Sequence, residues 1–150
     1  MDITTWNINS IRARRERFAD WLASRQPDVL CLQETKVVDG SFPTDLFEDA
    51  GYHVIFHGQK TYNGVAIAAR TPIEDVVRGV PFLEGDTDAR GIAATVNGVR
   101  VVNVYVVNGK DVGEVAPKTK ISTTSSFPTP ATCSCPGLRK MALAGCRSSR

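Results

Sequence analysis

Glu34 stands directly behind what reads as a buried strand. Val29-Leu30-Cys31-Leu32 is an unbroken apolar run, and the chain then turns polar at Gln33-Glu34-Thr35-Lys36. Such a run predicts a strand covered on both faces. A carboxylate at its end is held stiffly at the rim of a core. There a hard cation such as Mg²⁺ can be gripped by one carboxylate while keeping waters for a phosphate. Taken alone, the segment reads more simply as a strand followed by the first polar residue of a loop.

A second strand supplies partners. Asp2-Ile3-Thr4-Thr5-Trp6 alternates, and Asn7-Ile8-Asn9-Ser10-Ile11-Arg12 comes next. Two asparagines therefore sit just past a strand end, and Arg12, Arg14, Arg15 and Arg17 come close behind. That cluster fits a phosphate-binding edge and a solvated helix face about equally.

Together these pieces resemble the exonuclease III family of abasic-site endonucleases and 3′-exonucleases, within the endonuclease/exonuclease/phosphatase superfamily. The resemblance rests on Trp6 to Arg14, Gln26-Pro27-Asp28-Val29 and Leu32-Gln33-Glu34-Thr35-Lys36. It continues through Gly51-Tyr52, His57-Gly58-Gln59-Lys60, Tyr62 to Ile67, Arg90-Gly91-Ile92 and Val102-Asn103-Val104-Tyr105-Val106. It runs over residues 1–113 and stops. Val106-Val107-Asn108-Gly109 looks like the family's Pro-Asn-Gly loop with valine in the proline position.

The resemblance implies a Mg²⁺-dependent DNA-repair nuclease, with Mn²⁺ as the alternative ion. It implies Glu34 as metal carboxylate and Asn7 beside it, orienting the metal shell or the attacking water. Tyr105 becomes the phenol next to the scissile phosphate, and Asn108 a phosphate contact. Asn9 occupies a position where many relatives carry aspartate. Arg12, Lys60, Tyr62, Asn63 and Arg90 become the DNA-binding residues, with phosphate contacts giving affinity rather than chemistry. Tyr62 and Asn63 could wedge into a groove, although surface-loop residues would look the same. His57 receives no catalytic duty. The implied partner is double-stranded DNA with an abasic site or a 3′ end.

Two family motifs are missing. A Gly-Asp-x-Asn motif would supply an aspartate near the nucleophilic water, and a Ser-Asp-His motif would supply an Asp-His pair. This chain has neither, and its two histidines, His53 and His57, cannot replace the second. Removing members of a cooperating set costs orders of magnitude in rate. Little or no nuclease activity is expected from this chain alone. The competing readings are a non-catalytic fragment that binds DNA or metal weakly, and a superfamily phosphatase or phosphodiesterase acting on other phosphates.

Phe18, Trp21 and Leu22 predict one amphipathic helix over Ile11–Ser24, stopped by Pro27. A short helix is expected over Leu46–Ala50, closed by Gly51. Strands are expected at 52–56, 64–69, 73–77, 92–96 and 100–107. Asn97-Gly98 between the last two predicts a type I′ hairpin turn. This is an α/β pattern with a mixed sheet. The resemblance makes residues 1–113 the N-terminal part of a four-layer α/β sandwich. Half a sandwich leaves a sheet face uncovered, so self-association is expected.

Residues 114–150 change character, with 11 Ser/Thr, 4 of the 8 prolines and 3 of the 4 cysteines. Their charge is +5, against −3 for residues 1–113, within a total of +2. A low-order tail is expected, with some helical promise only at Leu138–Ala144. A frameshifted reading of the gene beyond about residue 113 and a divergent tail both explain the break, and the coding DNA separates them. Cys133, Cys135 and Cys146 make a weak zinc pattern with no histidine nearby. No apolar run is long enough to span a bilayer, and the start shows no secretory pattern. A cytoplasmic protein with reduced thiols and no membrane partner is expected.

Overall fold

A computed structural model describes residues 1–80 and 87–107, and the backbone alone of 142–144. Asn108, the tail cysteines and the low-order tail expected over 114–150 lie outside the described residues, apart from 142–144.

Two four-stranded sheets pack face to face. The first has the order β1-β2-β4-β3, from β1 (Ile3–Asn7), β2 (Val29–Gln33), β4 (Val65–Ala69) and β3 (His53–His57). The β1–β2 pair is parallel and the other two pairs are antiparallel. β2 and β4 are central and buried throughout, which is why both read as unbroken apolar runs. The second sheet has the order β5-β6-β7-β8, from β5 (Ile73–Arg78), β6 (Gly91–Val96), β7 (Val99–Val104) and β8 (Ala142–Ala144). Asn97 and Gly98 join β6 to β7 with φ of 49° and 74°. Both values are positive, as a type I′ turn requires.

The outer face of the first sheet is covered by α1 (Arg15–Arg25), α2 (Asp45–Glu48) and the loops around them. Phe18 and Leu22 of α1 are buried there with Phe47, Phe42 and Tyr52. Trp6 at the end of β1 meets Trp21 edge-on at 5.1 Å and Phe18 at 5.8 Å, and Phe42 stacks on Phe56 at 4.2 Å. Such ring pairs contribute about 0.5–1.5 kcal/mol each beyond their area. The two Trp6 pairs pin the end of β1, and so the start of the loop that carries Asn7 to Ile11. Between the sheets lies a second cluster that includes Val29, Cys31, Val65, Ile67, Ile92 and Val101. Burial pushes the Cys31 thiol up to about 12, so it is an inert, free thiol.

Three expectations shift. The helix predicted from Ile11 begins at Arg15, because Asn9 and Ser10 take positive φ (46° and 81°) and the chain first makes a turn. Ile11 is fully buried all the same, outside the helix. The strand predicted to reach Val107 ends at Val104: the Tyr105 amide still bonds the Arg90 carbonyl opposite it, but the Arg90 amide turns to Asp88 and the ladder stops. The helical promise at Leu138–Ala144 gives way at 142–144 to β8, which pairs parallel with β7 from Val101 to Asn103. Long-range pairing overrides a weak local preference there.

Candidate functional site

The site forms where four chain segments leave the two sheets together. Past β1, the amides of Ile8, Ser10 and Ile11 donate to the carbonyls of Gln33 (3.0 Å), Glu34 (2.7 Å) and Thr35 (3.2 Å). On the other side, the amides of Thr35 and Lys36 donate to Gly64 (3.1 Å) and Asn63 (3.0 Å). The Gly64 amide reaches Ala89 at 2.8 Å, and the Tyr105 amide reaches Arg90 at 2.8 Å. Glu34 is thus held by backbone bonds from both flanks. It adopts φ 53°, and Lys36 adopts φ 54°. A left-handed conformation at a residue with a long side chain costs about 1–3 kcal/mol and persists only where the surroundings enforce it.

Three side chains converge on the Glu34 carboxylate, which is 19% exposed. The Asn7 amide nitrogen donates to Oε1 at 2.8 Å, and the Lys36 ammonium lies 3.0 Å from Oε2. The Tyr105 phenol faces the same carboxylate from the second sheet, close enough for each group to shift the other's pKa. Lys36 also donates to Asn9 Oδ1 at 2.5 Å, and Asn7 Oδ1 accepts the Asn9 amide at 3.2 Å. Burial by itself raises the Glu34 pKa. The bonds from Asn7, Lys36 and Tyr105 outweigh it and hold the carboxyl below its ordinary value. The carboxylate is therefore ionised at neutral pH, ready for a cation. Tyr105 shifts the other way, to about 12, through burial first and its bond to Glu34 second. It is a neutral donor at physiological pH.

That shift sets a testable expectation. A raised acid pKa favours the folded state while the phenol is protonated. Its contribution is present below about pH 10 and is lost as pH rises towards 12. In an NMR titration Tyr105 should stay protonated near pH 11. Glu34→Gln should lower its pKa part of the way to 10, because burial remains. A Tyr105 that ionises at its ordinary value in the unaltered chain would mean the phenol does not face Glu34.

Mg²⁺ suits this donor set. One carboxylate plus waters and substrate phosphate is a common way to hold that ion. Among the described residues no group of three or more His, Cys, Asp or Glu could cage a metal. Glu34 would therefore be a single-carboxylate anchor. Asn7 turns its amide nitrogen to Glu34 and its oxygen to the Asn9 amide, so in this arrangement it orients the carboxylate.

The DNA-contact candidates fall in several places. Tyr62 is 67% exposed in the loop before β4. Lys60 is exposed in the same loop, whose Asn63 bonds the Lys36 amide. Arg12, Arg14, Arg15 and Arg17 line an open groove of about 730 Å³. Within it Arg12 donates to the Ser41 carbonyl at 3.2 Å, Arg14 to the Asn9 carbonyl, and Arg15 pairs with Asp45. Arg90 is only 4% exposed and lies 3.5 Å from Asp88. His53 is exposed on the edge strand β3, and His57 ends that strand. Asn108 is outside the described residues.

Two contributors carried no sequence signal for their roles. Lys36 reads as a loop lysine until its ammonium is seen on Glu34. Gly64 reads as the first residue of a strand, yet its lack of a side chain lets the chain entering β4 pass against Thr35. A Cβ there would lie 2.2 Å from the Thr35 hydroxyl.

Residues 4–144 match the sequence profile described as Endonuclease/Exonuclease/phosphatase family. The chain is 37% identical over 114 residues to exodeoxyribonuclease III of Haemophilus influenzae, covering 73% of this chain and 43% of that protein. A Neisseria 3′ phosphatase, solved bound to product DNA hairpin, is 50% identical with a TM-score of 0.70. That match covers 73% of this chain and 42% of the other. An AP endonuclease from Archaeoglobus fulgidus is 45% identical with a TM-score of 0.67, covering 71% of this chain and 41% of the other. The chain thus spans about two fifths of the length of these relatives.

Proposed function

We propose, for a chain that belongs to the Endonuclease/Exonuclease/phosphatase family, the role of a Mg²⁺-dependent DNA-repair nuclease of exonuclease III type. It would be an abasic-site endonuclease and 3′–5′ exodeoxyribonuclease, here carrying part of its site. The observation that supports this most is the convergence of Asn7, Glu34 and Tyr105 at or just past the ends of three strands in two sheets. Glu34 would anchor the cation, with Mn²⁺ as the alternative ion. The cation would draw charge from the scissile phosphate. Asn7 keeps the Glu34 carboxylate turned inward. Tyr105, held neutral, donates to a developing negative oxygen. Asn108 is proposed as a phosphate contact.

The substrate proposed is duplex DNA with an abasic site or a 3′ end. Arg12, Lys60, Tyr62 and Asn63 would meet its backbone and groove. Arg90 would contribute less than Lys60, because reaching a phosphate requires its pairing with Asp88 to open. Residues 114–150 are proposed to be a frameshifted or divergent tail, and the working compartment the cytoplasm. Among the described residues, no helix is long and apolar enough to cross a membrane. On the outer face of the second sheet, Val77 is 41% exposed, and Val102 and Val104, two strands away on the same face, are half-buried. Self-association through that face is proposed, and sedimentation at rising concentration should show a growing species.

Binding and cleavage separate the readings. The chain should bind abasic duplex, with affinity falling steeply as salt rises. It should cleave that duplex in Mg²⁺ slowly or not at all, since the Gly-Asp-x-Asn and Ser-Asp-His groups are missing. Rapid Mg²⁺-dependent cleavage would refute the incomplete site. Salt-insensitive or absent DNA binding, with turnover of a non-nucleic-acid phosphate ester, would favour the superfamily phosphatase reading.

A further inference from the structure

Asn103 is a polar side chain in the apolar layer between the sheets. It is fully buried, one residue before the end of β7. A buried amide left unpaired has lost its bonds to water with nothing in return, so such a residue is bonded or it is destabilising. The Asn103 side chain is bonded through both its nitrogen and its oxygen, and Leu32, Ala66 and Gln33, its partners, all lie in the opposite sheet. Nδ2 donates to the carbonyls of Leu32 at 2.8 Å and Ala66 at 2.9 Å. Those two residues face each other directly across β2 and β4. Oδ1 accepts the Gln33 side-chain amide at 2.7 Å, and that nitrogen also donates to Thr5 on β1 at 2.9 Å. One amide therefore touches both central strands of the first sheet and, through Gln33, its edge strand.

These partners matter because of where they sit in the chain. Leu32 and Gln33 immediately precede Glu34. Asn103 lies two residues before Tyr105, on the same face of the strand. The step from Asn103 to Tyr105 is about 6.6 Å along an extended chain. Apolar contacts between sheets are non-directional and tolerate a slide of one sheet over the other. Three directional bonds do not. We propose that Asn103 is a positioning residue that fixes the register between the two sheets and so brings the Tyr105 phenol onto the Glu34 carboxylate. The functional weight of this rests on reading Glu34 and Tyr105 as two walls of one site. The test reads their contact alone, so its failure is distinct from failure of that reading.

The full chain, labelled with ¹³C in its tyrosine rings, supplies the measurement at neutral pH without metal or DNA. Glu34→Gln defines where the Tyr105 resonance lies once the contact to a carboxylate is gone. Asn103→Leu should move Tyr105 to that position. Val101→Ala removes buried apolar volume from the same face of β7 and lowers stability without touching the amide. It should leave the Tyr105 resonance in place. Should Asn103→Leu not fold, Gln33→Met removes one of the three bonds and should move Tyr105 in the same direction by less. An unmoved Tyr105 in whichever of these two variants folds would overturn the proposal. So would an equal movement in Val101→Ala, since the effect would then be loss of packing and not of register.

Discussion

Glu34→Gln is expected to abolish saturable Mg²⁺ binding by this chain, with an affinity loss of more than about 100-fold measured by calorimetry. Removing an outer partner of a metal ligand usually costs about 10–100-fold, and loss of the anchoring carboxylate should exceed that. The substitution keeps shape, removes the charge and turns one acceptor oxygen into a donor. Asn7 sits 2.8 Å from one carboxylate oxygen and Lys36 3.0 Å from the other, so the carboxamide oxygen can accept from one of these donors while the partly exposed Lys36 chain is free to withdraw from the other side. Among the described residues no cluster of ligands stands ready to take its place. The fold should tolerate the change. Glu34 has a lowered pKa, so its ionised form favours the folded state above the usual carboxylate range. That contribution fades as pH falls through the depressed value. The variant should therefore show a flatter stability profile in acid while its core stays intact. Unchanged Mg²⁺ affinity in Glu34→Gln would place the ion elsewhere.

Gly64→Ala should have the largest effect on stability, about 3 kcal/mol, and a melting temperature lower by roughly 10 °C or more. Two separate causes add. Gly64 has φ +92°, where a residue with a Cβ is strained. The added carbon would also sit 2.2 Å from the Thr35 hydroxyl and 3.3 Å from the Lys36 amide. Neither neighbour can retreat easily, because the Thr35 amide is bonded to the Gly64 carbonyl and the Lys36 amide to Asn63. The strain would therefore be passed to the segment holding Glu34, and Mg²⁺ affinity should fall with stability. Gly98→Ala is the useful contrast. Its φ is also positive, at +74°, but a Cβ there meets nothing within 4 Å. It should cost less and leave the ion's affinity unchanged. Equal losses in both would show that the close approach at Thr35 is unimportant.

Much of this arrangement was legible in the sequence wherever one local rule decided it. Val29 to Leu32 is apolar without a break because β2 is covered on both faces. Asn97-Gly98 marks the hairpin because that turn needs two residues with positive φ. Glu34 could be placed at a strand end because an apolar run stops beside it, and Asn7 because an alternating stretch does; the family resemblance then joined them to Tyr105. What could not be read depends on contacts between distant segments. The start of α1 is delayed by bonds from Ile8, Ser10 and Ile11 to residues 33–35. No periodicity within residues 8–15 encodes those bonds. Asn103 looks like a polar interruption of an otherwise apolar strand. Only the presence of Leu32, Gln33 and Ala66 across the interface makes it a stable occupant of the core. Lys36 pairs with Glu34 because both residues adopt left-handed backbone, which neither residue type favours.

Anomalous diffraction from crystals of the full chain grown in Mn²⁺ tests most directly whether Glu34 anchors a divalent cation beside Asn7 and Tyr105. A metal peak should lie in contact with a Glu34 carboxylate oxygen, close to the 2.0–2.1 Å that Mg²⁺ itself would take, with the Tyr105 phenol facing the same carboxylate. A peak bound away from residue 34, with the Glu34 side chain turned into solvent and apart from Asn7 and Tyr105, would contradict it.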